Sequence, residues 1–219
     1  MQSTADFDPK AAAKTLMREA RSGALGTLMP GSGDPYCSLV NVATATDGAP
    51  LLLISRLALH TKNILADARV SLMLDERKEG DPLQGARVML MGTAVKTESA
   101  DAARRYLAYQ PEAEMFAGFG DFAFYEVKLK GAHLVAGFGR IVDLKPDDVL
   151  TDLAGAEALV AAEPEVIAHM NADMPRPAGS TPPGSSALPT ANGAASAAIR
   201  RASTCNAGAW VCDCRSRSG

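Results

Sequence analysis

The apolar positions of this chain fall mainly into short β-type runs bounded by turn residues, with helical spacing in a few places. A first helix is predicted over residues 9–21. Asp8 suits its N-cap, Pro9 its first position and Gly23 the site just past its end, and Leu16, Met17 and Ala20 form an apolar stripe. A short strand over 24–29 follows, then the turn Pro30-Gly31-Ser32-Gly33-Asp34-Pro35. A long β-rich run covers 36–46. Asp47-Gly48 then marks a tight type I′ hairpin into a strand over 49–55, because this pair readily supplies positive φ angles.

A short helix is predicted over 61–68 and a strand over 70–75, with an exposed charged connection over 76–85. Another strand covers 87–96, with Gly92 inside it as a bulge or close approach. A helix over 98–107 takes Thr97 or Ser99 as its cap, and a second helical piece covers 111–116. Residues 122–130 alternate cleanly, with Ala123, Tyr125, Val127 and Leu129 on one face and Phe122, Phe124, Glu126 and Lys128 on the other. Strands over 133–136 and 140–144, around Gly137-Phe138-Gly139, end the β region. Helical segments then run to about residue 171, broken at Pro164. About seven strands with three short helices inserted, linked mostly by hairpins, predict a mainly β fold with flanking helices, an antiparallel barrel rather than a doubly wound sheet.

Composition divides the chain. Its 219 residues are 47% hydrophobic and 21% charged, with a formal net charge of −3, enough for one soluble domain with a real core. Residues 1–174 hold 24 acids against 17 bases, which argues against a nucleic-acid binder. No apolar run approaches the length of a membrane span, and the N-terminus has neither a basic start nor an apolar stretch, so a cytoplasmic protein is expected. From Pro175 onward the bulk is Ala, Ser, Gly, Pro and Thr, with five arginines, no lysine, Trp210 and three cysteines (Cys205, Cys212, Cys214). Three thiols without a histidine fall short of a zinc ligand set, so a disordered tail with incidental thiols is expected.

The sequence lacks the glycine-rich phosphate-binding motifs, the G-x-S-x-G elbow and H-E-x-x-H, and its three histidines argue against a multi-histidine metal site. The informative segment is Ser55-Arg56-Leu57-Ala58-Leu59-His60-Thr61-Lys62-Asn63. A strand ends in a serine and a polar, basic cluster opens a helix, whose free N–H groups and positive dipole suit a phosphate or carboxylate. The same residues also fit a plain cap, with Thr61 as N-cap and Lys62 solvated; spacing alone leaves both open. His133 sits in an apolar strand and reads as structural, and His169, taken alone, reads as a surface histidine on an amphipathic helix.

Gly26-Thr27-Leu28, Pro35-Tyr36-Cys37-Ser38-Leu39-Val40, Leu52-Leu53-Ile54-Ser55 with Leu59-His60-Thr61-Lys62-Asn63, Arg69-Val70-Ser71-Leu72 and His133-Leu134-Val135-Ala136-Gly137-Phe138-Gly139 occur in this order. Over about residues 10–173 the chain resembles the pyridoxamine-5′-phosphate oxidase-like split-barrel proteins, and more closely their heme-utilisation (HugZ-type) branch. The resemblance implies a split β-barrel of the FMN-binding type that forms homodimers, with FMN or heme in clefts between subunits. It divides the chain into a split barrel (1–145), the start of a truncated C-terminal helical segment (146–173) and the tail (174–219). Ser55, His60, Thr61, Lys62 and Asn63 stand where the flavin enzymes hold the FMN phosphate. Where those enzymes carry an Arg and a Lys against the flavin, this chain reads Ser38-Leu39-Val40-Asn41-Val42-Ala43, a departure that suits the heme-handling branch. There the resemblance implies Arg87 as a propionate or distal-side cation and His169 as a ligand to heme iron. The implied function is heme utilisation or redox chemistry, by an oxidoreductase or alternatively by a non-enzymatic heme or flavin carrier or regulator. No dedicated acid/base pair is visible, so catalysis would rest on the cofactor.

Relatives continue after Asn-x-Asp with a histidine and an amphipathic helix, whereas here Asp173 is followed by Met174-Pro175-Arg176-Pro177. Losing one cytosine from a GC-rich stretch coding Asp-His-Ala-Ala-Ala yields Asp-Met-Pro-Arg-Pro, so the tail is expected to be an out-of-frame reading. Translating the gene in the alternative frame past codon 173 should give a helix-plus-strand segment; its absence would end this explanation.

Overall fold

The computed structural model describes residues 7–76, 82–137 and 139–173. The tail from residue 174, its cysteines and Trp210, and Phe138 of the expected 137–139 turn lie outside the described residues. The chain divides into two compact units, Met1–Val166 and Ile167–Gly219.

The first unit opens with α1 (Pro9–Glu19), where the Asp8 carboxylate accepts from the N–H groups of Lys10 and Ala11 at 2.9 and 3.1 Å. Ala13, Leu16, Met17 and Ala20, spaced i, i+3, i+4 and i+7, are all buried against the sheet. Burying the larger two contributes roughly 1.5–3 kcal/mol each.

Among the described residues, eight strands form one antiparallel sheet: β1 (Ser22–Leu28), β2 (Pro35–Asn41), β3 (Ala43–Thr44), β4 (Pro50–Ser55), β5 (Arg69–Asp75), β6 (Ala86–Thr97), β7 (Phe122–Ala136) and β8 (Ile141–Leu144). Their order is β2-β1-β5-β6-β7-β4-β3, with β8 added beside β7. The run expected as one strand over 36–46 is two, because the chain turns at Val42. Its N–H donates to the Arg21 carbonyl at 3.0 Å, while its own carbonyl accepts from the Gln110 side chain at 2.9 Å. β2 and β3 therefore lie at opposite ends of the strand order yet are joined by one residue, which forces the sheet to curl into a barrel. This is the split barrel the sequence predicted. Leu25, Leu52, Leu72, Leu90, Val127 and Leu134 fill its interior with no exposed surface.

Other differences are local. The Asp47-Gly48 hairpin is a three-residue rather than a two-residue type I′ turn. Gly48, at φ +100°, donates to the Ala45 carbonyl, and Ala45 N–H closes onto Ala49. The strands expected over 122–130 and 133–136 are one, since the ladder runs through Gly131 opposite Met91. Helix α3 (Ala100–Tyr109) takes Ser99 as its cap and buries Tyr106 edge-on against Phe124 at 5.7 Å. The expected helical piece after it is a 3-10 turn (Pro111–Ala113) and α4 (Glu114–Ala117). After α5 (Pro146–Val149), α6 (Glu157–Asp173) continues through Pro164 instead of breaking there. Just before that proline, Glu163 accepts from Arg104 at 2.6 Å and from Arg105, and both guanidinium groups hold its carboxyl below the usual carboxylate range.

The bulge predicted at Gly92 falls at the Met91/Gly92 register shift. A Cβ there would lie 2.2 Å from the Lys128 carbonyl oxygen. Gly92→Ala is expected to lower unfolding stability by on the order of 1–3 kcal/mol in a denaturant titration; an unchanged midpoint would mean β6 and β7 do not approach this closely.

Candidate functional site

The candidate site starts where β4 ends. Ser55 pairs with Phe122 of β7, its hydroxyl donates to the Asp121 carboxylate at 2.5 Å, and the same oxygen accepts from Leu57 N–H at 3.0 Å. Ala58 N–H closes onto the Ser55 carbonyl at 3.1 Å, and Arg56 N–H donates to the Asp121 carbonyl at 2.7 Å. Two short contacts thus fix the turn to the start of β7.

Helix α2 (Leu59–Ala66) follows. Its N-cap is Ala58, which has no capping side chain, so Thr61 is not the expected cap but the third helical residue. The first intrahelical bond runs from Lys62 N–H to the Ala58 carbonyl at 3.2 Å, which leaves the N–H groups of Leu59, His60 and Thr61 without intrahelical acceptors.

The cluster splits across the helix. Thr61 and Asn63 are buried, with 1% and 0% exposure, and Lys62 and Leu65 point to solvent. The Asn63 amide donates to Thr27 Oγ1 of β1 at 3.0 Å, and His60 Nδ1 lies 3.1 Å from Ser38 Oγ of β2. Three buried polar atoms here have no partner among the described residues: His60 Nε2, Thr61 Oγ1 and Asn63 Oδ1. Leaving such a group unpaired costs about 1–3 kcal/mol, which makes an all-structural role expensive. Burial lowers the His60 pKa, so near neutral pH it offers a hydrogen bond rather than a charge.

The remaining expected site residues lie elsewhere. Arg87, on β6, pairs in register with Asp75 and Val135 and donates to the Leu83 carbonyl at 3.0 Å. Arg69, held by the α2 C-cap Asp67, occupies the opposite end of β5, six positions or about 20 Å along the strand. Arg87 is therefore not brought to α2 within one chain. His169 is exposed on α6, in the second unit. Asp121 was not predicted; its partner Ser55 is 66 residues away and no local spacing announces the pair. A shallow depression of about 240 Å³ between β1 and β5, lined by Gly26, Thr27 and Arg69 among others, contains none of the expected site residues.

Chemically, α2 offers an anion three backbone donors that have no acceptor among the described residues, with Lys62 and Arg56 exposed nearby, while the Asp121 carboxylate is occupied by Ser55. Among the described residues no cluster of three His, Cys, Asp or Glu could hold a metal ion.

A curled antiparallel half-barrel with flanking helices, carrying an anion-receptive helix start at the end of β4, defines a split-barrel protein. The chain belongs to the pyridoxamine 5′-phosphate oxidase family, whose model matches residues 9–136. It is 33% identical over 140 residues to the chloroplastic non-canonical heme oxygenase HOZ of Arabidopsis thaliana, covering 62% of this chain and 43% of that protein. The chain thus spans less than half the length of this curated relative. A crystal structure of Atu2129, a protein of unknown function from Agrobacterium tumefaciens, superposes with a TM-score of 0.65 at 33% identity, over 72% of this chain and 66% of that one. A heme-binding protein from Mycobacterium smegmatis gives 0.60 at 28% identity, over 65% and 60%.

The buried imidazole generates a pH prediction. Because folding lowers the His60 pKa below 6.5, the unfolded chain binds more protons between these two values, and stability falls as pH drops from 6.5 towards the folded pKa. The loss should be smaller in His60→Gln, measured by denaturant titrations from pH 7.5 to 5. Parallel curves for the two proteins would contradict a buried, neutral His60.

Proposed function

We propose that this chain binds heme and serves heme utilisation, working as a homodimer in the cytoplasm. Among the described residues no helix is long and apolar enough to cross a membrane. The observation that carries heme over FMN is the strand opposite α2. β2 (Pro-Tyr-Cys-Ser-Leu-Val-Asn) presents Ser38 to His60 and has no cation to set against a flavin ring. The relatives from Arabidopsis and Mycobacterium support the same choice.

In this reading the Leu59, His60 and Thr61 amides would donate hydrogen bonds to a propionate at the start of α2, and Lys62 would add charge. His60 Nε2, with no partner among the described residues, supplies a further hydrogen bond. Ser55 and Asn63 position the helix, through Asp121 and Thr27. Arg87, which does not reach α2 within one chain, would serve a second acidic group only from a second copy, and His169 is a candidate iron ligand on the chemistry of its imidazole alone. Heme, when bound, supplies the redox chemistry; the chain's part is to hold and orient it.

A homodimer is supported by a sheet that carries apolar side chains on its outer face as well as in the core. Opposite the core, the register aligns Leu39, Ala24, Met73 and Met89 in one row and Cys37, Gly26, Ser71 and Met91 in the next. Leu39 is 74% exposed and Met91 43%. A second copy laid across these rows would remove that surface from water.

The test is an absorbance titration of the purified chain with hemin and, separately, FMN, alongside light scattering. Saturable hemin binding by a dimer is expected, and Lys62→Ala should weaken it roughly tenfold, the loss of one charge-assisted hydrogen bond. Loss of the heme spectrum with an open-chain product, once a reductant and oxygen are added, marks an enzyme; a stable complex marks a carrier. Binding of FMN and not hemin would overturn the proposal.

A further inference from the structure

One surface feature is used neither by the core nor by the start of α2. Between α4 and β7, Phe119 N–H donates to the Phe116 carbonyl and Phe122 N–H to the Phe119 carbonyl, each at 3.0 Å. Two successive i→i+3 turns bring residues 116, 119 and 122 to one side, as in 3-10 geometry. Their rings meet there. Phe116 and Phe122 stack at 5.5 Å with 23° between planes, and Phe119 stands edge-on to both, at 6.1 and 6.3 Å. The cluster remains open to solvent, with Phe119 54% and Phe116 38% exposed.

The glycines beside Phe119 are not needed by the fold. Neither Gly118 nor Gly120 has a positive φ, and a Cβ on either would meet nothing within 4 Å. Any small side chain would fit both positions and would restrict the unfolded chain more than glycine does. Bare backbone on both sides of an exposed ring leaves room for something flat that the chain itself does not supply.

The surroundings indicate its charge. Asp121 lies between Phe119 and Phe122 in the chain; its carbonyl accepts from Arg56 N–H at 2.7 Å, and its carboxylate is held by Ser55. Arg56 is exposed, and the start of α2 is three residues further on. The aromatic face thus adjoins, through the Asp121 backbone, the exposed Arg56 turn that leads into α2. A porphyrin has the matching chemistry, a flat conjugated ring with two carboxylates on one edge.

We propose that the Phe116–Phe119–Phe122 face, opened by Gly118 and Gly120, seats the porphyrin ring, with Arg56 meeting a propionate at its border. This rests on the heme-binding reading and adds to it the surface that takes the ring.

The full chain is titrated with hemin and with iron-free protoporphyrin IX, which removes any contribution from an axial ligand. Phe119→Ala and the double variant Gly118→Val/Gly120→Val are compared with the unaltered chain, with thermal melts to check folding and sedimentation to give oligomeric state. Both variants are expected to bind either porphyrin at least about tenfold more weakly, with unchanged melting and oligomeric state. Should Phe119→Ala not fold, the glycine variant, whose side chains enter open space, decides alone. Porphyrin affinity equal to that of the unaltered chain in a folded variant would overturn the proposal while leaving heme binding intact. Dissociation of the ligand-free protein into monomers by Phe119→Ala would overturn it in favour of an interface between copies. If the unaltered chain binds neither porphyrin, the heme reading falls, and this proposal with it.

Discussion

The fold turns on the single residue between β2 and β3. Val42 is fully buried, and its two backbone groups are held by Arg21 and by the Gln110 side chain, which also donates to the Arg21 carbonyl at 2.7 Å. Because β2 and β3 end opposite edges of the strand order, holding them one residue apart fixes the closure of the barrel. Tyr106 of α3 adds a hydrogen bond to the Asn41 carbonyl at 3.4 Å, so the helix ending in the Gln110 cap is also the clasp of the sheet. Closure brings β2 beside α2, and without it Ser38 and His60 would not meet.

The candidate site follows from that closure. α2 is short and has no capping side chain, so it is placed by what lies beneath it: Ile64 in the core, Asn63 on Thr27 and His60 on Ser38. A short helix held by buried polar contacts on one side keeps its first N–H groups aimed in a fixed direction, which an anion site requires. Ser55, tied to Asp121, fixes the turn that leads into it. Ser55 and Asn63 thus make contacts within the fold, which leaves the first backbone amides of α2 and the exposed cations as the candidate donors.

Much of the fold was legible because its signals are local. Asp8 and Pro9 at the start of α1, Gly92 at the bulge, the alternation of β7 and the ordered family motifs all read correctly. What did not read depends on distant partners. The break at Val42 is made by Arg21 and Gln110, and the passage of α6 through Pro164 coincides with Glu163 held by two arginines of α3. In the site, Thr61 looked like a cap because Ala58 and Leu59 give no start signal, and the residues that orient α2 lie on other strands. The aromatic face has no periodic signal in the sequence; the two turns after α4 gather its three rings.

A heme seat at the start of α2 and beside the Phe119 face can be tested by amide NMR. Gallium protoporphyrin IX, a diamagnetic substitute for heme, would be titrated into the isotope-labelled chain while the backbone resonances are followed. The amides of Leu59, His60 and Thr61 and those of residues 116–122 are expected to shift together and saturate at one concentration. Saturating shifts confined to other parts of the barrel, with these two segments unmoved, would contradict it.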